Sequence, residues 1–236
     1  MRNVLTIIPK LNEALYNFSK MFQFIVLLKT LQKLIEKVIG KWLQFHAISN
    51  KFIHSNQLGE LKQHSIMNTR IFITYLIHSG WIKKLQMSML VLDIAQFFPS
   101  LNHWLLPIIL SKARLNTKIL SFFSNYLIGR KTQYLWNIFT FSFFCIDIGI
   151  GQGSLLSPIL SILYLSLIFH IFEKRAKNLK IPVLFLCFIY NGLFISQEKS
   201  LEKTNSYLFH SYNIIYFLLE QFRLVIEYEK SEVLFF

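Results

Sequence analysis

The sequence of 236 residues has little that could cross-link the chain or hold a metal ion. Its two cysteines, Cys145 and Cys187, exclude a disulfide framework and are expected to be reduced, buried thiols. It has no CxxC or HExxH motif, and its histidines are scattered, which argues against a dedicated zinc site. With only two aspartates, Asp93 and Asp147, carboxylate chemistry has few possible locations.

The sequence also lacks a secretory signal and a clear domain boundary. Only residues 4–8 form an apolar run near the N-terminus before Pro9, which is too short for a secretory signal. We therefore expect a protein that stays inside the cell, in the nucleus or the cytoplasm. No repeat and no low-complexity linker marks a domain boundary.

Basic and apolar residues are abundant instead. The 25 Lys and Arg outnumber the 12 Asp and Glu, giving a net charge of +13 that favours a polyanionic partner, either nucleic acid or an anionic membrane surface. Apolar residues make up 53% of the chain, enough for a sizeable core. The mean hydropathy of +0.43 is high for a protein in water, so a membrane alternative has to be considered.

Periodicity predicts a mixture of helices and strands. Residues 27–45 carry apolar side chains at helical spacing, and Lys33, Glu36 and Lys41 are placed on the opposite, polar side. Asn191-Gly192, between two apolar runs, predicts the turn of a β-hairpin because both residues accept positive φ. The other predicted elements are helices over about 69–85, 104–128 and 200–222, strands over 86–94, 224–227 and 232–236, and a β-hairpin over 133–148.

Residues 155–172 form an uncharged run that is long enough to span a membrane. However, Pro158 stands in its first turn, and Ser157, Ser161 and Tyr164 fall on one helical face together with Ser154. Lipid would not favour such a polar stripe, so the pattern favours a buried helix over a membrane span.

Four blocks of sequence, taken in order, resemble the reverse transcriptase domain of non-LTR (LINE-type) retrotransposons. Leu92-Asp93-Ile94-Ala95-Gln96-Phe97-Phe98 is similar to the first palm motif of that family, and Gly151-Gln152-Gly153-Ser154-Leu155-Leu156-Ser157-Pro158 is similar to its PQGSPLSP motif. Phe188-Ile189-Tyr190-Asn191 stands at the place of the aromatic-x-Asp-Asp hairpin, and Leu224-Val225-Ile226-Glu227 with Lys230 resembles the fourth motif. Upstream, Ile8-Pro9-Lys10 and residues 22–28 resemble segments of the family's fingers.

The resemblance implies the α+β fold of a right-hand polymerase, with an antiparallel palm sheet packed on helices. Residues 1–85 would be a fingers-like region and residues 86–236 a palm-like region, together one reverse transcriptase domain. No sequence remains after Phe236 for a thumb, so we expect the domain to be truncated.

The resemblance also implies roles for individual residues. Asp93 matches the first metal ligand, assisted by the backbone carbonyl of Ile94, and Lys230 matches a lysine that protonates pyrophosphate. Nucleotide-binding positions would be Phe98, which matches the aromatic gate against a ribose 2′-hydroxyl, together with Gly151, Gln152 and Lys10. A solvated surface lysine accounts for Lys10 or Lys230 as well, and Phe98 could be plain core.

Four positions depart from the family's pattern. The paired aspartates are replaced by Tyr190 and Asn191, which removes two negative charges, and the fingers arginine that clamps the triphosphate is replaced by Gln23. Arg223 also stands where the family has a glycine. Two Mg²⁺ ions require several carboxylate oxygens, so we expect magnesium binding to be weak or lost.

The sequence therefore predicts an RNA-directed DNA polymerase domain fragment of retrotransposon origin that is degenerate and catalytically inactive. Its ancestral ligands would be an RNA template, an RNA–DNA hybrid, deoxynucleoside triphosphates and Mg²⁺, with no small-molecule metabolite and no membrane. Two alternatives stay open, a non-catalytic nucleic-acid-binding remnant and a small multi-pass membrane protein. The sequence does not determine the oligomeric state.

Overall fold

The computed structural model describes residues 2–10, 21–59, 61, 65–136 and 139–236. The chain forms two compact units that alternate along the sequence. The first unit comprises Met1–His46 and Phe98–Ile159, and the second comprises Ala47–Phe97 and Leu160–Phe236. The division of the chain at residue 85 into fingers and palm stays a prediction.

The first unit contains a five-stranded sheet. Strands β1 (Arg2–Pro9) and β2 (Phe22–Leu27) are antiparallel, β1 pairs in parallel with β5 (Arg130–Trp136), and β6 (Phe139–Thr140) and β7 (Phe144–Ile146) both pair with β5. The predicted hairpin over 133–148 is therefore confirmed, although β5 begins earlier and is also bound to β1. The core of this sheet is formed by Leu5, Val26 and Leu28.

Among the described residues, five helices belong wholly or in part to the first unit: α1 (Thr30–Ser49), α3 (Phe97–Ser100), α4 (Leu105–Lys112), α5 (Thr117–Leu127) and the first residues of α6 (Ser157–Asn178). The helix predicted over 104–128 is thus two helices. The chain breaks between them because Asn116 caps α5, accepting a hydrogen bond from the Ile119 amide at 2.9 Å.

The second unit contains a four-stranded antiparallel sheet in the order β11 (Glu232–Phe235), β3 (Gln86–Leu92), β9 (Asn191–Glu198) and β8 (Leu184–Phe188). A two-stranded ladder joins β4 (Ile94–Ala95) to β10 (Val225–Ile226). The helices are α2 (Ile66–Ile82), α6 (Ser157–Asn178, which starts in the first unit) and α7 (Leu201–Gln221). The α+β class with antiparallel pairing in the palm-like sheet is confirmed.

Strand β3 is buried on both of its faces, as a central strand requires. Met87 and Met89 form one core with Leu186 and Ile195, and side chains of α2 pack against it. On the other face, the Ser88 hydroxyl lies 2.7 Å from the Thr204 hydroxyl of α7. This alternation fixes the register of β3 and so determines where Asp93, immediately after the strand, emerges.

The apolar face of α1 is exposed and Glu36 is buried, contrary to the prediction, although Lys33 and Lys41 are exposed as predicted. Glu36 is buried at 1% exposure, while Leu31 is 69%, Val38 62% and Phe45 72% exposed. The buried side of the helix is the narrow one that carries Glu36, Leu43 and Ala47. The prediction was wrong because hydrophobic periodicity cannot register a buried carboxylate that is fully hydrogen-bonded.

Helix α6 is the one helix of the described residues that is long and apolar enough to cross a membrane, yet 67% of its apolar window is buried inside the protein. The Phe169 and Phe172 rings pack against Phe185 of β8, with centroids 4.3 and 5.6 Å apart. The Tyr164 hydroxyl donates to the Phe222 carbonyl at 2.7 Å. The polar stripe on this helix is therefore used in packing within the protein.

Five helix ends place a lysine or arginine in the left-handed region of φ, where glycine is usual. At the end of α7, Arg223 has φ of 59°, its amide donates to the Glu220 carbonyl, and the Leu224 amide donates to the Leu219 carbonyl. These bonds make a Schellman turn and confirm that position 223 needs positive φ. The five residues are Lys51, Lys84, Arg114, Lys180 and Arg223.

Candidate active site

Asp93 lies at the exit of the central strand of the second unit, beside the hairpin of β8 and β9. Leu92 pairs with Gly192 in antiparallel register, so Asp93, which follows Leu92, lies beside Asn191, which precedes Gly192. The backbone carbonyl of Asp93 accepts a hydrogen bond from the Glu227 amide at 2.8 Å, and Ile94 pairs with Ile226. The first and third sequence blocks therefore meet at one place, and the fourth is bound to them through β10.

The hairpin has its turn two residues earlier than the sequence predicts. Phe188 pairs with Asn191, so the turn consists of Ile189 and Tyr190, and Asn191-Gly192 begin β9. Ile189 has φ of 58°, which is costly for a β-branched residue. The hairpin is confirmed, but its Asn-Gly turn is wrong.

Gln57 explains the position of the turn. Its amide nitrogen donates to the Ile189 carbonyl at 3.0 Å, and its amide oxygen accepts from the Ile189 N–H at 3.2 Å. Gly59 supports the same contact, because a Cβ at this position would lie 2.4 Å from the Ile189 nitrogen.

The two cysteines differ in burial. Burial raises the pKa of the Cys187 thiol, which keeps it protonated, whereas Cys145 is exposed, contrary to the prediction.

Tyr190 and Asn191 offer neutral side chains at this site. The Tyr190 ring stacks on Phe97, with centroids 5.7 Å apart and an interplanar angle of 17°, while Asn191 is exposed. The tyrosine therefore contributes aromatic packing where the family has a carboxylate.

Asp93 is held by a single ion pair among the described residues. Its Oδ2 lies 3.3 Å from Lys230 Nζ, and the lysine side chain is 64% exposed against 17% for the aspartate. Oδ1 is buried and has no hydrogen-bond partner in the part of the chain that the structure describes. Asp93, Lys230, Tyr190 and Asn191 thus form one cluster in the second unit.

Apart from Ile94, the other predicted site residues belong to the first unit, where the loop over 149–154 is fixed against β2. The Gln152 carbonyl accepts from the Val26 amide at 2.8 Å, and Gly153 has φ of 100°. A Cβ on Gly151 would lie 2.6 Å from Val26 Cγ2, so a larger residue would push the loop off the strand.

Phe98, in α3, is hydrogen-bonded to Ile150 of this loop, and Gln23 lies in β2. The Phe98 carbonyl accepts a hydrogen bond from the Ile150 amide at 2.8 Å, next to Gly151. Gln23 is in β2 and pairs with Ile8, and the amide of exposed Lys10 donates to the Met21 carbonyl at 2.9 Å. Phe98, Gly151, Gln152, Gln23 and Lys10 are therefore connected through β1, β2 and this loop.

Glu36 is the main residue of this region that the sequence did not indicate. Its carboxylate accepts hydrogen bonds from the Ser154 hydroxyl at 2.7 Å, the Leu155 amide at 3.0 Å and the Tyr126 hydroxyl at 3.3 Å. Gln32 donates to it as well, at 3.0 Å. Burial raises the pKa of Tyr126, which keeps this phenol a hydrogen-bond donor. Glu36 therefore ties the loop of the second sequence block to α1.

Arg130 is buried at 3% exposure, which is unusual for an arginine. Its guanidinium carbon lies 5.2 Å from the centre of the Tyr126 ring, and its Nη2 is 3.4 Å from the position of a Cβ on Gly151. A positive charge therefore lies beside the glycine-rich loop, and no spacing in the sequence distinguishes this arginine from a surface residue.

An aspartate at the end of a central antiparallel strand, next to a β-hairpin and in an α+β fold, defines a polymerase-like palm. The chain belongs to the reverse transcriptase (RNA-dependent DNA polymerase) family, whose model matches residues 8–235. A search of curated protein sequences found no match.

Solved structures of telomerase have a similar fold. The apo telomerase of Candida tropicalis truncated from its C-terminal domain superposes with a TM-score of 0.71 at 13% identity, covering 100% of this chain and 50% of that one. Telomerases of C. tropicalis and C. albicans in complex with a TWJ fragment of telomeric RNA give 0.71 and 0.70, at 14% and 13% identity, each covering 99% of this chain and 41% of the other. The chain spans half or less of the length of these proteins.

Proposed function

We propose that this chain is a reverse transcriptase domain derived from a non-LTR retrotransposon that no longer catalyses nucleotidyl transfer. Membership of the family and the four ordered sequence blocks support the origin. The degenerate hairpin supports the loss of catalysis.

The observation that carries the proposal is the composition of the cluster around Asp93. Nucleotidyl transfer in this family relies on two divalent ions held by carboxylate oxygens. Here Tyr190 and Asn191 are neutral, and the ammonium of Lys230 lies 3.3 Å from Asp93 Oδ2. One carboxylate already paired with a cation does not fit a site for two Mg²⁺ ions.

The expected loss of activity is large. Divalent ions supply several kcal/mol of transition-state stabilisation, and about 1.4 kcal/mol corresponds to a factor of ten in rate. Removing the pair of carboxylates therefore corresponds to a loss of roughly three or more orders of magnitude. The fingers position that would clamp the triphosphate is also neutral, because Gln23 replaces an arginine.

Primer extension by the purified chain on a primed RNA template tests this proposal. We expect no incorporation of deoxynucleotides above background with Mg²⁺. Magnesium-dependent incorporation that Asp93→Ala abolishes and Asp147→Ala preserves would overturn it. The Tyr190→Asp/Asn191→Asp double variant measures how much the two missing charges matter, with magnesium binding as a second readout.

A second candidate function is nucleic-acid binding without catalysis, which the exposed basic residues favour. Lys174, Arg175, Lys177 and Lys180 are all exposed around the end of α6, and such a group of cations releases counterions when it contacts phosphates. The telomerases with a similar fold include complexes with telomeric RNA, which agrees with this candidate.

Fluorescence anisotropy of a labelled RNA–DNA hybrid at increasing salt separates this candidate from the first. We expect affinity to fall linearly with the logarithm of salt concentration, and Lys174→Gln/Lys177→Gln to reduce the slope. Absence of binding at low salt, or binding that salt does not change, would reject it.

A further inference from the structure

Three side chains with metal-ligating atoms converge in the second unit, outside the cluster around Asp93. They are His54, in the loop between α1 and α2, and His170 and Glu173, both on α6. Each offers one ligand atom, and these atoms all lie within 4.8 Å of one another. No sequence motif marks this group, because His54 lies more than a hundred positions before His170 and Glu173.

The local structure explains how the group is assembled. His170 and Glu173 are three residues apart on α6, so they project from the same side of the helix. The backbone amide of His54 donates to the Ser166 hydroxyl, one turn earlier on α6, at 3.2 Å. The His54 ring also packs edge-on against Phe169 and Phe185, with centroids 6.3 and 6.4 Å away. These contacts hold the imidazole against the helix.

A second, independent observation points to a ligand. The side chain of His54 is only 2% exposed, and its Nε2 is buried without a hydrogen bond to any described residue. A buried polar nitrogen left unsatisfied is costly, and most such atoms have a partner. The nearest acidic atom is Glu173 Oε2 at 3.4 Å. Two ligands bound tetrahedrally to one ion at about 2.0–2.1 Å would lie about 3.4 Å apart.

The surrounding contacts resemble those that orient metal ligands. His170 Nε2 lies 3.0 Å from the Phe52 carbonyl oxygen, so the ring donates its proton there and leaves Nδ1 as the ligand atom. Coordination through His54 Nε2 moves the ring proton to Nδ1, at the expense of the 3.2 Å bond from the Asn56 amide.

We propose that His54, His170 and Glu173 form a binding site for Zn²⁺, with a water molecule in the fourth position. Two imidazoles and one carboxylate are a donor set that suits zinc and disfavours Mg²⁺, which prefers oxygen ligands. The site joins the loop before α2 to α6, so zinc would stabilise the second unit. It is independent of the proposed loss of catalysis at Asp93.

The test uses the full chain after removal of metals with a chelator. We expect calorimetric titration at pH 7.5 to show one Zn²⁺ per chain and the melting temperature to rise with Zn²⁺ concentration, whereas Mg²⁺ at the same concentration has no such effect. Co²⁺ should give the visible absorption of a four-coordinate site with nitrogen and oxygen ligands.

Three variants decide between this site and general surface binding. His170→Ala and Glu173→Gln alter exposed side chains, so they should fold, and each should weaken Zn²⁺ binding by at least tenfold. The matched control is His210→Ala, an exposed histidine of α7 that should bind as the unaltered chain does. Binding that His170→Ala leaves unchanged, or that His210→Ala weakens equally, would overturn the proposal, as would the absence of a zinc-dependent melting shift.

Discussion

Two carboxylates, one in each unit, differ in how completely their oxygens are used. Glu36 is buried and accepts four hydrogen bonds from Gln32, Tyr126, Ser154 and Leu155. Asp93 has one ion pair with an exposed lysine, and its other oxygen has no hydrogen-bond partner in the described part of the chain. A saturated carboxylate stabilises structure, whereas one with an unused oxygen can still accept a hydrogen bond or bind another ligand.

The largest effect is expected from Glu36→Ala. The substitution removes the acceptor of the Leu155 amide and leaves the buried hydroxyls of Ser154 and Tyr126 with only each other as acceptor, so we expect the free energy of unfolding to fall by about 3 kcal/mol. Urea denaturation of both proteins measures this difference. Glu232→Ala, at an exposed position of β11, is the control and should change stability by less than about 0.5 kcal/mol. Equal effects would remove the distinction between saturated and surface carboxylates.

The next largest effect concerns the hairpin beside Asp93. In Gly59→Ala the new methyl group would lie 2.6 Å from Ile189 Cγ1 and 2.4 Å from the Ile189 nitrogen. We expect the bonds from Gln57 to Ile189 to be lost and stability to fall by about 2 kcal/mol. Gly129→Ala is a control for backbone effects alone, because φ there is 64° but nothing lies within 4 Å of the added Cβ. An alanine at 59 no worse than one at 129 would show that the hairpin does not depend on this contact.

A smaller effect, of opposite sign, is expected at the turn that leads into β10. Arg223 has φ of 59° in a Schellman turn, and glycine would relieve the strain of this conformation. We therefore expect Arg223→Gly to raise the free energy of unfolding by about 1 kcal/mol. Thermal and urea unfolding should agree on the sign, and a loss of stability would mean that contacts of the arginine side chain outweigh the strain.

The smallest effect is expected from Asp93→Asn. The ion pair involves a lysine that is 64% exposed, and such pairs contribute about 0–1 kcal/mol. We expect a change in stability of less than about 1 kcal/mol, of either sign. A loss comparable to that of Glu36→Ala in the same denaturation assay would show that Asp93 is structural, and the comparison would fail.

Much of this architecture could be predicted from the sequence. The strand before Asp93, the hairpin around Asn191-Gly192, α7 and the closing strands were predicted from apolar runs and helical periodicity, which are local properties of the sequence. The convergence of Asp93 with residues 190–191 followed from the order of the sequence blocks.

What could not be predicted depends on polar contacts between distant positions. Glu36, Gln57 and His54 are buried, and the polar atoms of each face a partner more than a hundred residues away. These partners are Ser154, Ile189 and Glu173 respectively. Single-residue patterns carry no information about such partners, so Glu36 was placed on the solvent side of α1 and the hairpin turn was assigned to Asn-Gly instead of the residues that Gln57 binds.

The outward apolar face of α1 has a consequence for handling the isolated protein. A charge of +13 keeps copies of the chain apart in dilute buffer, but at about 0.15 M salt this repulsion reaches only about 8 Å. Side chains such as Leu31 and Phe45 then meet those of other copies with little electrostatic opposition. Added sodium chloride should therefore precipitate or oligomerise the purified chain, the reverse of the salting-in seen for most proteins.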